Sequence, residues 1–172
     1  MRVPAWVAAM ARRFPAIADV LARHPPERGL GKGAYKWVYA SGTVAVGITA
    51  YDGQAEEEIQ YLSRLRAMGL PAVEVLEWVP ASRDGNGGAM VMRLYHKPRR
   101  LTNRIHERCR EIAAILRRRR IWVTDLHVLL DANGGVILAD PLYIRRRRRG
   151  DEQVFKFADI MDEKDFCLML YL

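Results

Sequence analysis

The stretch Leu30-Gly31-Lys32-Gly33-Ala34-Tyr35-Lys36-Trp37-Val38-Tyr39-Ala40 decides the fold, together with Thr43-Val44-Ala45-Val46-Gly47-Ile48-Thr49-Ala50-Tyr51. The first segment opens on glycines and ends on β-formers, so it reads as a strand–turn–strand hairpin. The second is a third strand, set off by Ser41-Gly42 before it and Asp52-Gly53 after it. A helix over 54–68 comes next. Its acids sit in the first turn and Arg64 and Arg66 near the end, which suits the helix dipole. Ile59, Leu62 and Leu65 make its apolar stripe, and Gly69 caps it. Two short strands, about 73–79 and 88–95, flank the turn Arg83-Asp84-Gly85-Asn86-Gly87-Gly88.

Upstream, residues 4–23 read as an amphipathic helix with Trp6, Val7, Met10, Phe14, Ile17 and Leu21 at three- and four-residue steps. Pro15 kinks or splits it, and Pro25 and Pro26 stop it. Downstream, 101–119 is a second strong helix with Leu101, Ile105, Cys109, Ile112, Ile115 and Leu116 on one face. Two brief strands then flank the turn Asp131-Ala132-Asn133-Gly134-Gly135, and a final helix is expected over about 153–171. Five antiparallel strands interrupted by one helix are α+β logic, not a parallel α/β sheet.

Composition narrows the function classes. The chain has 172 residues, half of them hydrophobic and 28% charged, which is globular composition. Its net charge is +8, and 23 of its 28 basic residues are arginine. A basic balance of this kind points to phosphate-bearing or acidic partners. Cys109 and Cys167 are far apart and show no metal spacing, so a reducing, cytosolic chain is expected. His24, His96, His106 and His127 show no ligand spacing, and no Gly-x-Ser-x-Gly is present; metalloenzyme and serine-hydrolase readings both fail. No apolar stretch approaches the roughly 20 residues that span a membrane, and the first residues lack the apolar core of a secretory signal. The expectation is a mature, soluble chain in a bacterial or host cytosol, with no membrane partner.

Gly31 and Gly33 let the backbone approach a phosphate, although a tight hairpin turn uses glycines in the same way. The surrounding segments carry a resemblance. Gly31-x-Gly33-x-Tyr35-x-x-Val38 resembles the protein-kinase Gly-rich loop, and Val44-Ala45-Val46 resembles the strand that follows it. Glu58 has the spacing of the glutamate on the kinase regulatory helix, and Ala89–Tyr95 resembles the strand leading into the hinge. Val123-Thr124-Asp125-Leu126-His127 and Val136-Ile137-Leu138-Ala139-Asp140 resemble the catalytic loop and the metal-binding segment. The resemblance covers about residues 29–144.

It implies a kinase-like α+β fold: a five-stranded antiparallel N-lobe sheet with one helix, and a reduced helical C-lobe. The implied organisation is an N-terminal helical extension (1–28), an N-lobe (29–95) and a C-lobe (96–172). ATP and magnesium are the implied cofactors. Gly31, Gly33, Tyr35, Lys36, Val38, Ala45 and Met92 would contact the nucleotide, Asp140 would hold magnesium, and Asp125 would accept the acceptor hydroxyl's proton.

The sequence departs from that pattern in four places. The strand lysine is missing, because Gly47 follows Val44-Ala45-Val46. With-no-lysine kinases supply it from the Gly-rich hairpin, and Lys36 stands there; Gly47 would leave the space for it. A Lys36–Glu58 ion pair is therefore expected, with Glu57 as the alternative if the helix register shifts by one. Second, Leu130 replaces an asparagine that binds a second magnesium, which leaves Asp140 with waters and phosphates and with Asp131 as a candidate helper. Third, Thr124 precedes Asp125, Pro141-Leu142 follows Asp140, and His127 takes the place of a lysine that contacts the γ-phosphate. An enzyme of this kind would be constitutively on. Fourth, 32 residues follow Asp140, which resembles the miniature kinases of plant-pathogenic bacteria or of phages.

Two arginine runs, Arg117–Arg120 and Arg145–Arg149, hold nine cations. The second is expected to be exposed and mobile unless it meets an anion, because five adjacent like charges repel within a Debye length of roughly 10 Å at 0.1 M salt. An acidic protein substrate is the first-choice partner and nucleic acid the second. The leading function is phosphoryl transfer to a protein Ser/Thr. The alternatives are a catalytically inactive kinase-like binder and a basic host-protein- or nucleic-acid-binding protein.

Overall fold

The computed structural model describes residues 2–32, 36–50, 54–82, 87–157 and 166–170. The chain divides into two compact units, Met1–Ile59 with Glu74–Leu94, and Gln60–Val73 with Tyr95–Leu172.

The first unit is built on five strands: β1 (Arg28–Lys32), β2 (Lys36–Ser41), β3 (Val44–Thr49), β4 (Val75–Pro80) and β5 (Gly88–Arg93). They form one antiparallel sheet in the order β1-β2-β3-β5-β4. The predicted amphipathic helix is split at Pro15 into α1 (Ala5–Arg13) and α2 (Pro15–Arg23). A proline at a first helical position loses no internal hydrogen bond, so it starts α2 as readily as it ends α1. Val7, Ile17 and Val20 of these helices are fully buried in one core with Trp37, Tyr39, Val46, Ile48, Ala89 and Val91. Each such large side chain gains about 1.5–3 kcal/mol on leaving water.

Strand periodicity then fixes the other face. Trp37 and Tyr39 point to the helices, so Lys36 and Val38 point away from them. The register sets Val38 opposite Gly47, Ala40 opposite Ala45, and Ala45 opposite Met92. Lys36, Val38, Ala45, Gly47 and Met92 therefore share the face that α1 and α2 leave uncovered. Helix α3 (Gln54–Ala67) follows β3 in the chain and contributes Glu58 to this unit.

The second unit contains α4 (Asn103–Arg118), β6 (Ile121–Thr124), β7 (Leu126–Leu130), β8 (Val136–Ala139), β9 (Tyr143–Arg146), β10 (Gln153–Phe157) and β11 (Phe166–Leu170). Thr102 caps α4 by accepting the Ile105 N–H at 3.3 Å. The helix buries Ile105, Cys109, Ile112 and Leu116. Four strands form a sheet in the order β11-β10-β7-β8, and β6 pairs with β9 separately.

One expectation is corrected here. The final helix is not present among the described residues: 153–157 and 166–170 are antiparallel strands, and β10 also runs parallel to β7. Gln153, Phe155 and Phe157 alternate with half-buried Val154 and Lys156, which is the period of a strand with one buried face. The reduced helical lobe is thus one complete helix and six strands among the described residues. The Arg145–Arg149 run meets the anion on which its expected mobility was conditional. Arg145 stacks on Trp122 at 4.2 Å and grips both Asp151 carboxylate oxygens at 2.6 and 2.8 Å, while Arg147 donates to the Asp151 carbonyl. This pairing holds the Asp151 carboxyl down at about 2, helped by the Arg148 N–H.

Candidate functional site

Two groups of polar side chains stand out, one in each unit. In the first unit the Lys36 ammonium donates to both carboxylate oxygens of Glu58 at 2.8 Å. The pair is largely shielded, with 22% and 15% of the two side chains exposed, so water screens it less than a surface ion pair. Glu57, one residue earlier, is exposed. Gly47 explains how the lysine reaches that carboxylate. A Cβ at Gly47 would sit 3.1 Å from Lys36 Cε, 3.5 Å from Met92 Cε and 3.9 Å from Val38 Cγ2. The missing side chain on β3 is thus the volume through which the lysine stem of β2 passes. Gly31 pairs with Val38 across the β1–β2 ladder. Gly33 and Tyr35 lie outside the described residues.

In the second unit three non-glycine residues have positive φ among those described: Arg120, Asp125 and Asp140. Two of them are the aspartates singled out from sequence. Aspartate tolerates the left-handed region better than most residues, yet each such residue stores about 1 kcal/mol or more of backbone strain, and strain of this kind gathers at functional sites. The β7–β8 register sets His127 opposite Ala139, which brings Asp125 and Asp140 to the same end of the hairpin. Asp140 is exposed.

Asp125 is part of a cluster. Its Oδ1 lies 3.5 Å from His127 Nε2 and forms an ion pair with Lys156 Nζ, although neither donor is aligned on it as a hydrogen bond. Lys156 arrives there because β10 runs parallel to β7 with Lys156 opposite His127. Sequence reasoning missed this lysine because it placed 153–171 in a helix. The alternation of Gln153, Phe155 and Phe157 was the signal that would have set Lys156 on the same face as Val154.

Asp131 does not join Asp140. Its Oδ1 accepts the N–H groups of Asn133 and Gly135, both at 2.8 Å, and so closes the β7–β8 turn. That turn follows Leu130, three residues along the hairpin from His127, or about 10 Å at the rise of a strand. The carboxylate is committed to the backbone at the far end, which corrects the expectation that it helps to hold a metal.

No group of three or more His, Cys, Asp or Glu side chains forms a metal cage among the described residues. Magnesium is usually held by one or two carboxylates together with substrate phosphates, and the exposed Asp140 carboxylate fits that mode. No described helix is long and apolar enough to cross a membrane.

These elements define a mixed α+β fold with a five-stranded antiparallel sheet. The chain is similar to a crystal structure of WbdD with 18% identity and a TM-score of 0.50, over 72% of this chain and 34% of that one. A co-crystal structure of WbdD with a kinase inhibitor matches with 17% identity and a TM-score of 0.55, over 73% and 34%. The chain thus spans about a third of the WbdD chains, and the likeness is one of fold. No protein-family model matches the chain, and no curated protein matches it in sequence.

Proposed function

We propose that this protein binds ATP with magnesium and transfers the γ-phosphoryl group to a serine or threonine hydroxyl of a protein. The observation that carries the reading is the Lys36–Glu58 pair threaded past Gly47. A lysine held by a carboxylate is a positioned cation for phosphate oxygens, and phosphoryl transfer depends mainly on such positioning. Lys36 binds the phosphates, and Glu58 sets the direction of the ammonium. Val38, Ala45 and Met92 share the same sheet face and supply an apolar surface for the base. Asp140 would hold magnesium, which when bound neutralises charge on the phosphate oxygens. Asp125 receives the acceptor hydroxyl's proton, and Lys156 and His127 hold its carboxylate in place.

A second reading, nucleotide binding without transfer, is favoured by one observation. The Asp125 carboxylate is already ion-paired to Lys156. The test incubates the protein with γ-labelled ATP, magnesium and a cell lysate, beside Asp140→Ala. Label transferred by the wild type and lost in the variant supports the kinase reading. ATP binding without transfer supports the second, and equal labelling by both proteins overturns the kinase reading.

A further inference from the structure

The two arginine runs have 24 residues between Arg120 and Arg145, yet the fold joins them. Strands β6 and β9 pair with Ile121 opposite Arg146, and the Arg147 N–H donates to the Arg120 carbonyl at 2.8 Å. Asp151 is spent on the second run: it takes the side chain of Arg145, the side chain of Arg147 through its carbonyl, and the main chain of Arg148. Arg117–Arg120 of the first run and Arg146, Arg148 and Arg149 of the second stay exposed, and their side chains carry no ion pair among the described residues. Like charges kept this close, with Asp151 as the one carboxylate placed among them, form a concentrated positive field, which draws in an anion with several charges.

The chemistry beside the arginines narrows the partner. Leu142 and Tyr143, just before the run, are 57% and 50% exposed, and they are two of the three exposed large apolar side chains among the described residues. An aliphatic leucine has no role on a phosphate backbone, whereas an apolar peptide side chain set against it removes apolar area from water. The side of β9 away from β6 carries no strand among the described residues, so an extended peptide can add there by main-chain hydrogen bonds. The start of β9 also lies next to the aspartate cluster, since Thr124 pairs with Tyr143 and the Leu142 N–H donates to the Thr124 carbonyl at 3.0 Å.

We infer that β9 and its two arginine runs are a docking strip for an acidic, extended segment of a protein. The bound segment sets a bulky apolar residue on Leu142 and Tyr143 and a run of carboxylates on the arginines. Tyr143 to Arg148 is five steps along the chain, about 16 Å if extended throughout, and its first four residues are strand, so the acids lie roughly four to six positions from the apolar residue. The inference rests on the proposed kinase reading only in naming this segment as the substrate.

The test uses the whole protein and fluorescein-labelled peptides. Each carries a serine, a neighbouring leucine and a run of glutamates on one side or the other; a lysine-run peptide and a labelled oligothymidylate serve as comparisons. Anisotropy measures binding without ATP, and labelled ATP measures transfer to the serine. The expected result is glutamate-peptide binding that weakens with salt and falls about tenfold or more in Arg146→Glu/Arg148→Glu/Arg149→Glu, with the lysine-run peptide gaining on that variant. Leu142→Ser weakens binding at every salt concentration, because it removes apolar area and no charge. Binding unchanged by the charge reversal overturns the docking strip, and so does preferred binding of the oligothymidylate. Peptide bound through the arginines but never phosphorylated leaves the strip standing and removes the kinase reading. Peptide phosphorylated with a KM indifferent to the arginines does the reverse.

Discussion

Gly47→Ala has opposite effects on stability depending on whether Lys36 is present. Gly47 is not in the left-handed region, so alanine fits its backbone there. Replacing glycine by alanine at a compatible position stabilises a protein by about 0.4–1 kcal/mol, because the unfolded chain loses freedom. In the wild type that gain meets a methyl group 3.1 Å from Lys36 Cε, where ordinary carbon contacts lie at roughly 3.5–4.0 Å. The lysine stem must move by a few tenths of an ångström, and its ammonium is held at 2.8 Å from two oxygens. The gain is therefore cancelled or reversed. In a Lys36→Ala background the stem is gone, and Gly47→Ala stabilises by the full amount. Lys36→Ala itself costs about 1–3 kcal/mol, since it leaves the mostly shielded Glu58 carboxylate without its ammonium. Urea denaturation of the four proteins closes the cycle, with an expected coupling of about 1 kcal/mol. Effects that add to within about 0.5 kcal/mol would refute the claim that Gly47 exists to pass the lysine.

Three further outcomes follow from the second unit. Asp151 has its carboxyl depressed from 3.8 to about 2, mainly by Arg145. A depressed acid stabilises the fold above its unfolded value and loses that contribution as pH falls. The difference in urea midpoint between wild type and Asp151→Asn should hold steady above about pH 5 and close between about pH 4 and 2. Lys156→Met should lower kcat about tenfold or more with little change in thermal midpoint, and Lys156→Arg should restore part of it; an unchanged kcat in Lys156→Met would remove Lys156 from the site. Burial raises the Cys109 thiol to about 12, so peptide mapping should find Cys109 unmodified by maleimide in the native protein and modified once unfolded.

The fold's first unit was readable because its signals are local. Pro15 and the β-rich stretch after Gly33 each act within a few residues, and the elements formed where they pointed. Lys36 and Glu58 were readable as a pair through the resemblance to with-no-lysine kinases, in which the hairpin supplies the lysine that Gly47 does not. The second unit was less readable because its decisive pairings are distant. Strand β10 has five residues, and besides β11 it pairs with β7, in parallel and some 29 positions earlier in the chain, from Lys156 to His127. The Arg145–Arg149 run looked like self-repelling charge because its counter-ion, Asp151, and its aromatic seat, Trp122, become neighbours only after β6 meets β9. Asp131 resembled a metal helper in the sequence, but its oxygen was already spent on the turn that it begins.

The most direct test of the account is the transfer of γ-labelled phosphate by Lys36→Ala measured beside the wild type, with ATP affinity and thermal midpoint recorded on the same samples. The account predicts that the variant keeps a cooperative fold, binds ATP at least about tenfold more weakly and transfers no label. Wild-type transfer by a folded Lys36→Ala protein would contradict it.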